Sequence, residues 1–267
     1  MKIITIVLAW ILVVLAINTT HAATGTVTGR LKLSNGQPFS NGQVFFFNVK
    51  SPLEKPVVGK YWRVPDSAVE SDSNGEFTTS LEAGSYYIGA VKRAVAGKLG
   101  PPDNGDYFLP VHDTRSTYRI ITVKSNSTTS IGLVDNIQQF NEKKVVVKGM
   151  QTIIDGRIIS VDGQGVSNLY VLAYTDPTMR GRPSFVSVAS DGQGRYRLLV
   201  DKGRTFYLKV RDNYSGGKPQ AGRLVGVYGE YDAPTPVVTN SGSLTAGIDI
   251  QVEPFAGGGP QTDETSQ

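Results

Sequence analysis

The stretch SDSNGEFTTSLEAGSYYI at residues 71–88 returns in altered letters as SDGQGRYRLLVDKGRTFY at residues 190–207. Both open on Ser-Asp, place a glycine three residues after the Asp, and place another glycine nine residues later. Between those glycines Phe77, Thr79 and Leu81 alternate with Glu76, Thr78 and Ser80. In the second version Tyr196, Leu198 and Val200 alternate with Arg195, Arg197 and Leu199. A period of two sends one set of side chains to each face of a strand, so each stretch predicts a half-buried strand. Asp72, Asn74 and Gly75, matched by Asp191, Gln193 and Gly194, carry the chemistry of a turn just before it. Gly84 and Gly203 are placed to turn the chain into a further strand, SYYIGAV or RTFYLKV.

Upstream the repetition continues. GRLKLSNGQPFSNGQVFFF (29–47) lies over GRIISVDGQGVSNLYVLAY (156–174) with 7 of 19 positions identical and no gap. Asn35-Gly36 and Asp162-Gly163 sit between apolar runs, the signature of a hairpin turn. The offset is 127 here and 119 in the opening pair, so the first copy holds eight extra residues within NVKSPLEKPVVGKYWRVPDSAVE. Surface loops tolerate such insertions. Order, spacing and residue type recur together, which marks a tandem duplication. Further strands are predicted near 107–111, 118–123 and 130–134, with counterparts near 223–228, 236–239 and 247–252. Six or seven short strands in roughly 110 residues suit a two-layer sandwich. The chain therefore reads as all-β: two tandem β-sandwiches at residues 23–140 and 149–254, joined by a linker at 141–148. The Gly-rich, then polar tail at 255–267 has the composition of a disordered segment.

The opening MKIITIVLAWILVVLAINTTHAA stands apart from this pattern. A lysine, an apolar run and small residues at Thr20-His21-Ala22 form the layout of a secretory signal peptide (1–22), cleaved near Ala22. The apolar run of about 15 residues is shorter than the roughly 20 that a bilayer demands, which disfavours a retained anchor. The expected address is secreted or periplasmic, with membrane contact only through this segment if it stays uncleaved. There is no cysteine, which excludes disulfides, a thiolate nucleophile and thiolate metal ligands. The formal net charge is +4. Lys202, Arg204, Lys209 and Arg211 alternate with apolar residues and have Asp201 and Asp212 beside them. That pattern is a solvated strand face rather than a basic stripe for nucleic acid, and no nucleic-acid partner is expected.

The two copies resemble the carboxypeptidase regulatory-like domain. The residues that carry the likeness are Ser71-Asp72, Gly75, Phe77, Leu81 and Gly84, matched by Ser190-Asp191, Gly194, Tyr196, Val200 and Gly203. The likeness covers about residues 24–135 and 149–254. It implies a prealbumin-like (transthyretin-like) Greek-key sandwich, placed near carbohydrate-binding-like sandwiches. It also implies an accessory module of the kind repeated in secreted and cell-envelope proteins. Its motifs are turn and core positions, so they speak to fold and hardly to function.

Chemistry is scarce. Removal of the leader takes His21 and leaves His112 as the remaining histidine. A His-based zinc centre needs at least two, so the peptidase chemistry that names the family is absent. No G-x-S-x-G elbow appears, and PVHDTRS reads as a surface loop. DSNGE, DGQG and DNGD offer one or two carboxylates each, fewer than a calcium loop requires. No catalytic residue, metal or cofactor is expected. Binding is the stronger idea: Tyr61 and Trp62 stand in KYWRVP, Tyr107 and Phe108 in GKLGPPDNGDYFLPVHD, and Tyr228 and Tyr231 in YGEYDAPTP. Such rings stack on sugars, anchor protein interfaces, or close the ends of a sandwich. The reading is a non-enzymatic structural or interaction module of an extracellular or cell-envelope assembly, with a protein partner. The alternative is a carbohydrate-binding protein that holds a polysaccharide on its aromatic loops. A sugar binder should align two or three open rings along one groove; an interaction module should show a broader apolar patch or a free strand edge.

Overall fold

The computed structural model describes residues 23–56, 62–113, 117–144, 151–201, 203–212 and 218–257. The leader with its cleavage site, half of the junction at 141–148, most of the tail and Tyr61 lie outside the described residues. The described chain is all-β, with a single 3-10 turn at Glu142–Lys144 and no α-helix.

The N-terminal half contains β1 (Thr24–Leu33), β2 (Gln43–Asn48), β3 (Ser67–Glu70), β4 (Glu76–Glu82), β5 (Gly84–Lys92), β6 (Tyr107–Leu109), β7 (Ile120–Val123) and β8 (Thr128–Gln139). The C-terminal half contains β9 (Thr152–Ile159), β10 (Tyr170–Tyr174), β11 (Phe185–Val186), β12 (Arg195–Val200), β13 (Thr205–Arg211) and β14 (Leu224–Val227). It ends on four short pieces, β15 (Val237–Val238), β16 (Leu244–Thr245), β17 (Ile250–Gln251) and β18 (Glu253–Pro254).

The duplication in the letters is a duplication of topology. β1 pairs antiparallel with β4 and parallel with β8; β9 pairs antiparallel with β12 and parallel with β16 and β17. The second layer repeats as well: β3-β2-β5 with β6 and β7 on β5 becomes β11-β10-β13 with β14 and β15 on β13. Each half packs one layer on the other. In the first, Val27 and Leu31 of β1 and Phe77 and Leu81 of β4 meet Val44 and Phe46 of β2 and Tyr86 and Ile88 of β5. In the second, Ile154, Ile158, Tyr196 and Leu198 meet Val171, Ala173, Phe206 and Leu208. The predicted period of two holds on β4, where Phe77 and Leu81 are buried and Glu76, Thr78 and Ser80 are not.

Each letter of the repeated Ser-Asp-x-x-Gly has a physical task. Ser71 is 2% exposed: its hydroxyl donates to Phe39 O and accepts the Gly42 N–H at 3.1 Å. Ser190, 4% exposed, donates to Val166 O at 2.7 Å and accepts the Leu169 N–H at 3.1 Å, which are the same positions one repeat later. Asp72 Oδ1 accepts the N–H groups of Asn74 and Glu76, and Asp191 Oδ1 those of Gln193 and Arg195. Gly75 (φ 75°) and Gly194 (φ 76°) sit in the left-handed region, and a Cβ there would come within 2.3 and 2.2 Å of the Leu31 and Ile158 carbonyl oxygens. Only glycine satisfies both demands.

Candidate functional site: the seam between the halves

The eight extra residues of the first copy do not form a dispensable surface loop. The segment that holds them crosses to the second half and docks there. The Val64 N–H donates to Ser184 O at 2.9 Å, the Val186 N–H donates to Trp62 O at 3.2 Å, and Arg63 bridges antiparallel to Phe185. Residues 62–64 thus add a short edge strand to β11, and three residues later the same chain becomes β3 of its own sheet. Edge strands leave backbone groups unpaired, and this strap covers one of them in cis.

Side chains follow the backbone. Trp62, 7% exposed, belongs to the core of the C-terminal half, with Phe185 and Phe206, and Leu53 packs against the same cluster. Charged groups secure the strap on both sides. Asp201, 3% exposed, accepts the Glu54 N–H at 3.0 Å and lies 3.4 Å from Arg204 Nε, while Arg204 also donates to Pro52 O. Arg63, also 3% exposed, donates to Glu54 O and Asp66 and lies over the Phe47 ring. Burial lowers the Arg63 pKa and raises that of Asp201, each opposed in part by these partners.

A second arm reaches across from the loop after β5. Arg93 ties that loop together through Pro101 O, Gly100 O and Asp106, whose carboxylate is 1% exposed and also accepts the Ala94 and Asp103 N–H groups. The loop tip touches the second half: the Leu99 N–H donates to Tyr170 Oη at 3.2 Å, and Leu99 packs on the cluster of Tyr170, Leu172 and Met179. A Cβ on Gly100 would meet Ser187 O at 2.5 Å, so the approach there is as close as a backbone permits.

Between the two arms lies a groove of ≈ 770 Å³. Its floor is Phe45 and Val91 from one half and Leu172 and Val186 from the other. Among the described residues its charged lining is Arg63, Lys92, Arg93, Lys98 and Arg182, against Glu70.

The aromatic residues singled out from the sequence are not gathered in it. Trp62 is core. Phe108 is 9% exposed and packs edge-on against Phe140 at 5.4 Å. Tyr107 and Tyr228 are half-buried against the cores of their own halves. Tyr231, 55% exposed, is the one open ring among the five described. Of the described rings, four are buried or half-buried against cores, where removing an aromatic face from water is favourable. The groove residues Lys92, Arg93 and Arg182 had no signal in the sequence beyond ordinary strand and loop charges. Arg63 had one, its place beside Trp62 in the insertion.

No protein-family profile matches the chain, and no curated protein is similar to it in sequence. Among solved structures, a streptococcal ancillary pilin shares 14% identity over 88% of this chain and 64% of the pilin, with a TM-score of 0.24. The shaft pilin SpaA of Lactobacillus rhamnosus GG shares 12% over 87% of this chain and 98% of its own, TM-score 0.23. The minor pilin of Streptococcus agalactiae shares 12% over 89% and 100%, TM-score 0.24. The chain spans less than two thirds of the ancillary pilin. Overlaps this slight assign neither a partner nor an activity.

Proposed function

We propose that this is an exported, non-enzymatic structural and interaction protein of an extracellular or cell-envelope assembly. It is built from two carboxypeptidase-regulatory-like modules (23–140 and 149–254) that act as one stiff body after cleavage of the leader near Ala22. The observation that carries this reading is the strap: the first module supplies an edge strand and a core tryptophan to the second. Two modules tied this way present loops and strand edges at fixed spacing, which suits recognition rather than turnover. No described carboxylate or nucleophile is placed against the remaining histidine. His112 Nδ1 lies 2.9 Å from Asp113 O, and its buried Nε2 has no partner among the described residues. The Asp72 and Asp191 carboxylates cap turns. No helix of the described residues is long and apolar enough to cross a membrane, in keeping with an exported chain.

Photo-cross-linking in the native envelope, with probes at Tyr231 and along the seam, tests the reading. A discrete protein adduct is the expected result. Hydrolysis of an ester, peptide or glycoside panel, or binding to a glycan array that Tyr231→Ala abolishes, would overturn it.

A further inference from the structure

Resting on the interaction-module reading, we propose that the seam groove is a binding site for an extended acidic segment of a partner protein, with apolar side chains alternating with its carboxylates. Its size lies within the roughly 300–1,000 Å³ of ligand sites. The charge of its lining is lopsided, and the imbalance is not spread evenly. Arg93 is neutralised by Asp106 at 2.8 Å and Lys98 by Asp103 at 3.3 Å. Lys92 has the Ser40 hydroxyl at 3.0 Å and Arg182 has the Pro65 carbonyl; neither meets a carboxylate among the described residues. These two cations come from different halves, so they flank the groove only because the halves are docked. The single carboxylate of the lining, Glu70, accepts from Gln43 Nε2 at 3.0 Å. Arg63 also lines the groove, and its buried Nε donor has no partner among the described residues. A buried donor without an acceptor carries a desolvation cost that a ligand oxygen would remove.

The floor decides the class of ligand. Val91, Leu172 and Val186 are aliphatic and Phe45 is the one aromatic ring among the described lining residues, which gives a poor stacking platform for sugar acids. An extended peptide sends alternate side chains to opposite sides, so apolar residues can face this floor while carboxylates reach Lys92 and Arg182.

The test uses residues 23–267 and three probes: the peptide Glu-Leu-Glu-Val-Glu-Leu, its Gln counterpart, and polygalacturonate. The acidic peptide is expected to bind in a salt-sensitive way, at least about tenfold better than the Gln peptide. Lys92→Glu combined with Arg182→Glu should cost more than about tenfold, since each reversal replaces an attraction to the peptide carboxylates by a repulsion. Lys32→Glu with Lys124→Glu, the same charge change elsewhere, should cost little. Unchanged Trp62 fluorescence certifies that the variants remain folded and docked. Equal binding of the Gln peptide, indifference to the groove variant, or capture of polygalacturonate in place of the peptide would overturn the proposal. If envelope cross-linking still traps a protein in that case, the module reading stands and only the groove assignment falls.

Discussion

The two halves share one topology and differ in what they lend. The N-terminal half encloses its core with its own strands, and the 12-residue β8 follows β1 from Thr128 to Ile137 through two register shifts. The C-terminal half closes the same position with the two-residue pieces β16 and β17, and its core contains a tryptophan from its neighbour. Here the gap between pieces is bridged by side chains: Asp249 Oδ1 accepts the Arg157 N–H at 2.8 Å, and Tyr196 Oη donates to Ile248 O at 2.7 Å. The core of the first half is drawn from its own residues alone, while that of the second includes Trp62 from the strap.

The largest effect should come from Trp62→Ala. Truncating a buried aromatic costs about 3–5 kcal/mol, and hydrogen exchange should show the loss at β10, β11 and β13, far from the mutated half's own core. Residues 23–140 alone should fold and show a red-shifted, solvent-exposed Trp62. Residues 149–257 alone should be markedly less stable and should recover protection when a peptide of residues 51–66 is added. Equal stability of the two isolated halves would break the comparison outright.

Trp62 also marks the limit of what the sequence discloses. The sandwich frame was legible because turns and period-two strands are local: Asp72 binds N–H groups two and four residues on, and Asp191 does the same in the second copy. The seam was not. Trp62 stood out as an aromatic in an insertion, yet nothing in KYWRVP says that its ring enters a core formed more than 90 residues later. The cations of the groove were equally silent, since Lys92 and Arg182 become neighbours of one cavity only through docking. Long-range partners leave no period.

Next in size are the paired turn positions. Gly75→Ala and Gly194→Ala should each destabilise by about 3 kcal/mol, from left-handed strain together with collision against a backbone carbonyl. Ser71→Ala and Ser190→Ala should each cost about 1–3 kcal/mol, because a buried donor and acceptor lose their partner. Urea titrations of the four variants sharpen the comparison: matched chemistry predicts matched losses within each pair. A Ser190→Ala loss far below that of Ser71→Ala would mean that the C-terminal half relaxes around the defect.

The smallest effect belongs to Asp201, and its sign is informative. Burial raises the folded carboxyl pKa above the ordinary aspartate value, opposed by the Glu54 N–H and by Arg204. A raised folded pKa means that the native state holds the proton more tightly than the unfolded chain. The favourable contribution is therefore fully present below the ordinary aspartate pKa, about 3.9, and is lost as pH rises through the raised value. Asp191 acts in the opposite sense, since Arg195 and backbone N–H groups hold its carboxyl below the usual range. Subtracting the pH profile of Asp201→Asn from that of the parent isolates the strap clasp from such turn carboxylates. The asparagine keeps an oxygen for the Glu54 N–H and removes the buried charge. It should therefore change stability at neutral pH by no more than about 1 kcal/mol, because the burial cost it relieves and the attraction to Arg204 it forfeits offset each other. The parent should gain on the variant as pH falls from the raised value towards 4. A parent that instead loses ground over that window would show that the ionised carboxylate, through Arg204 and Arg63, holds the strap more strongly than burial opposes it.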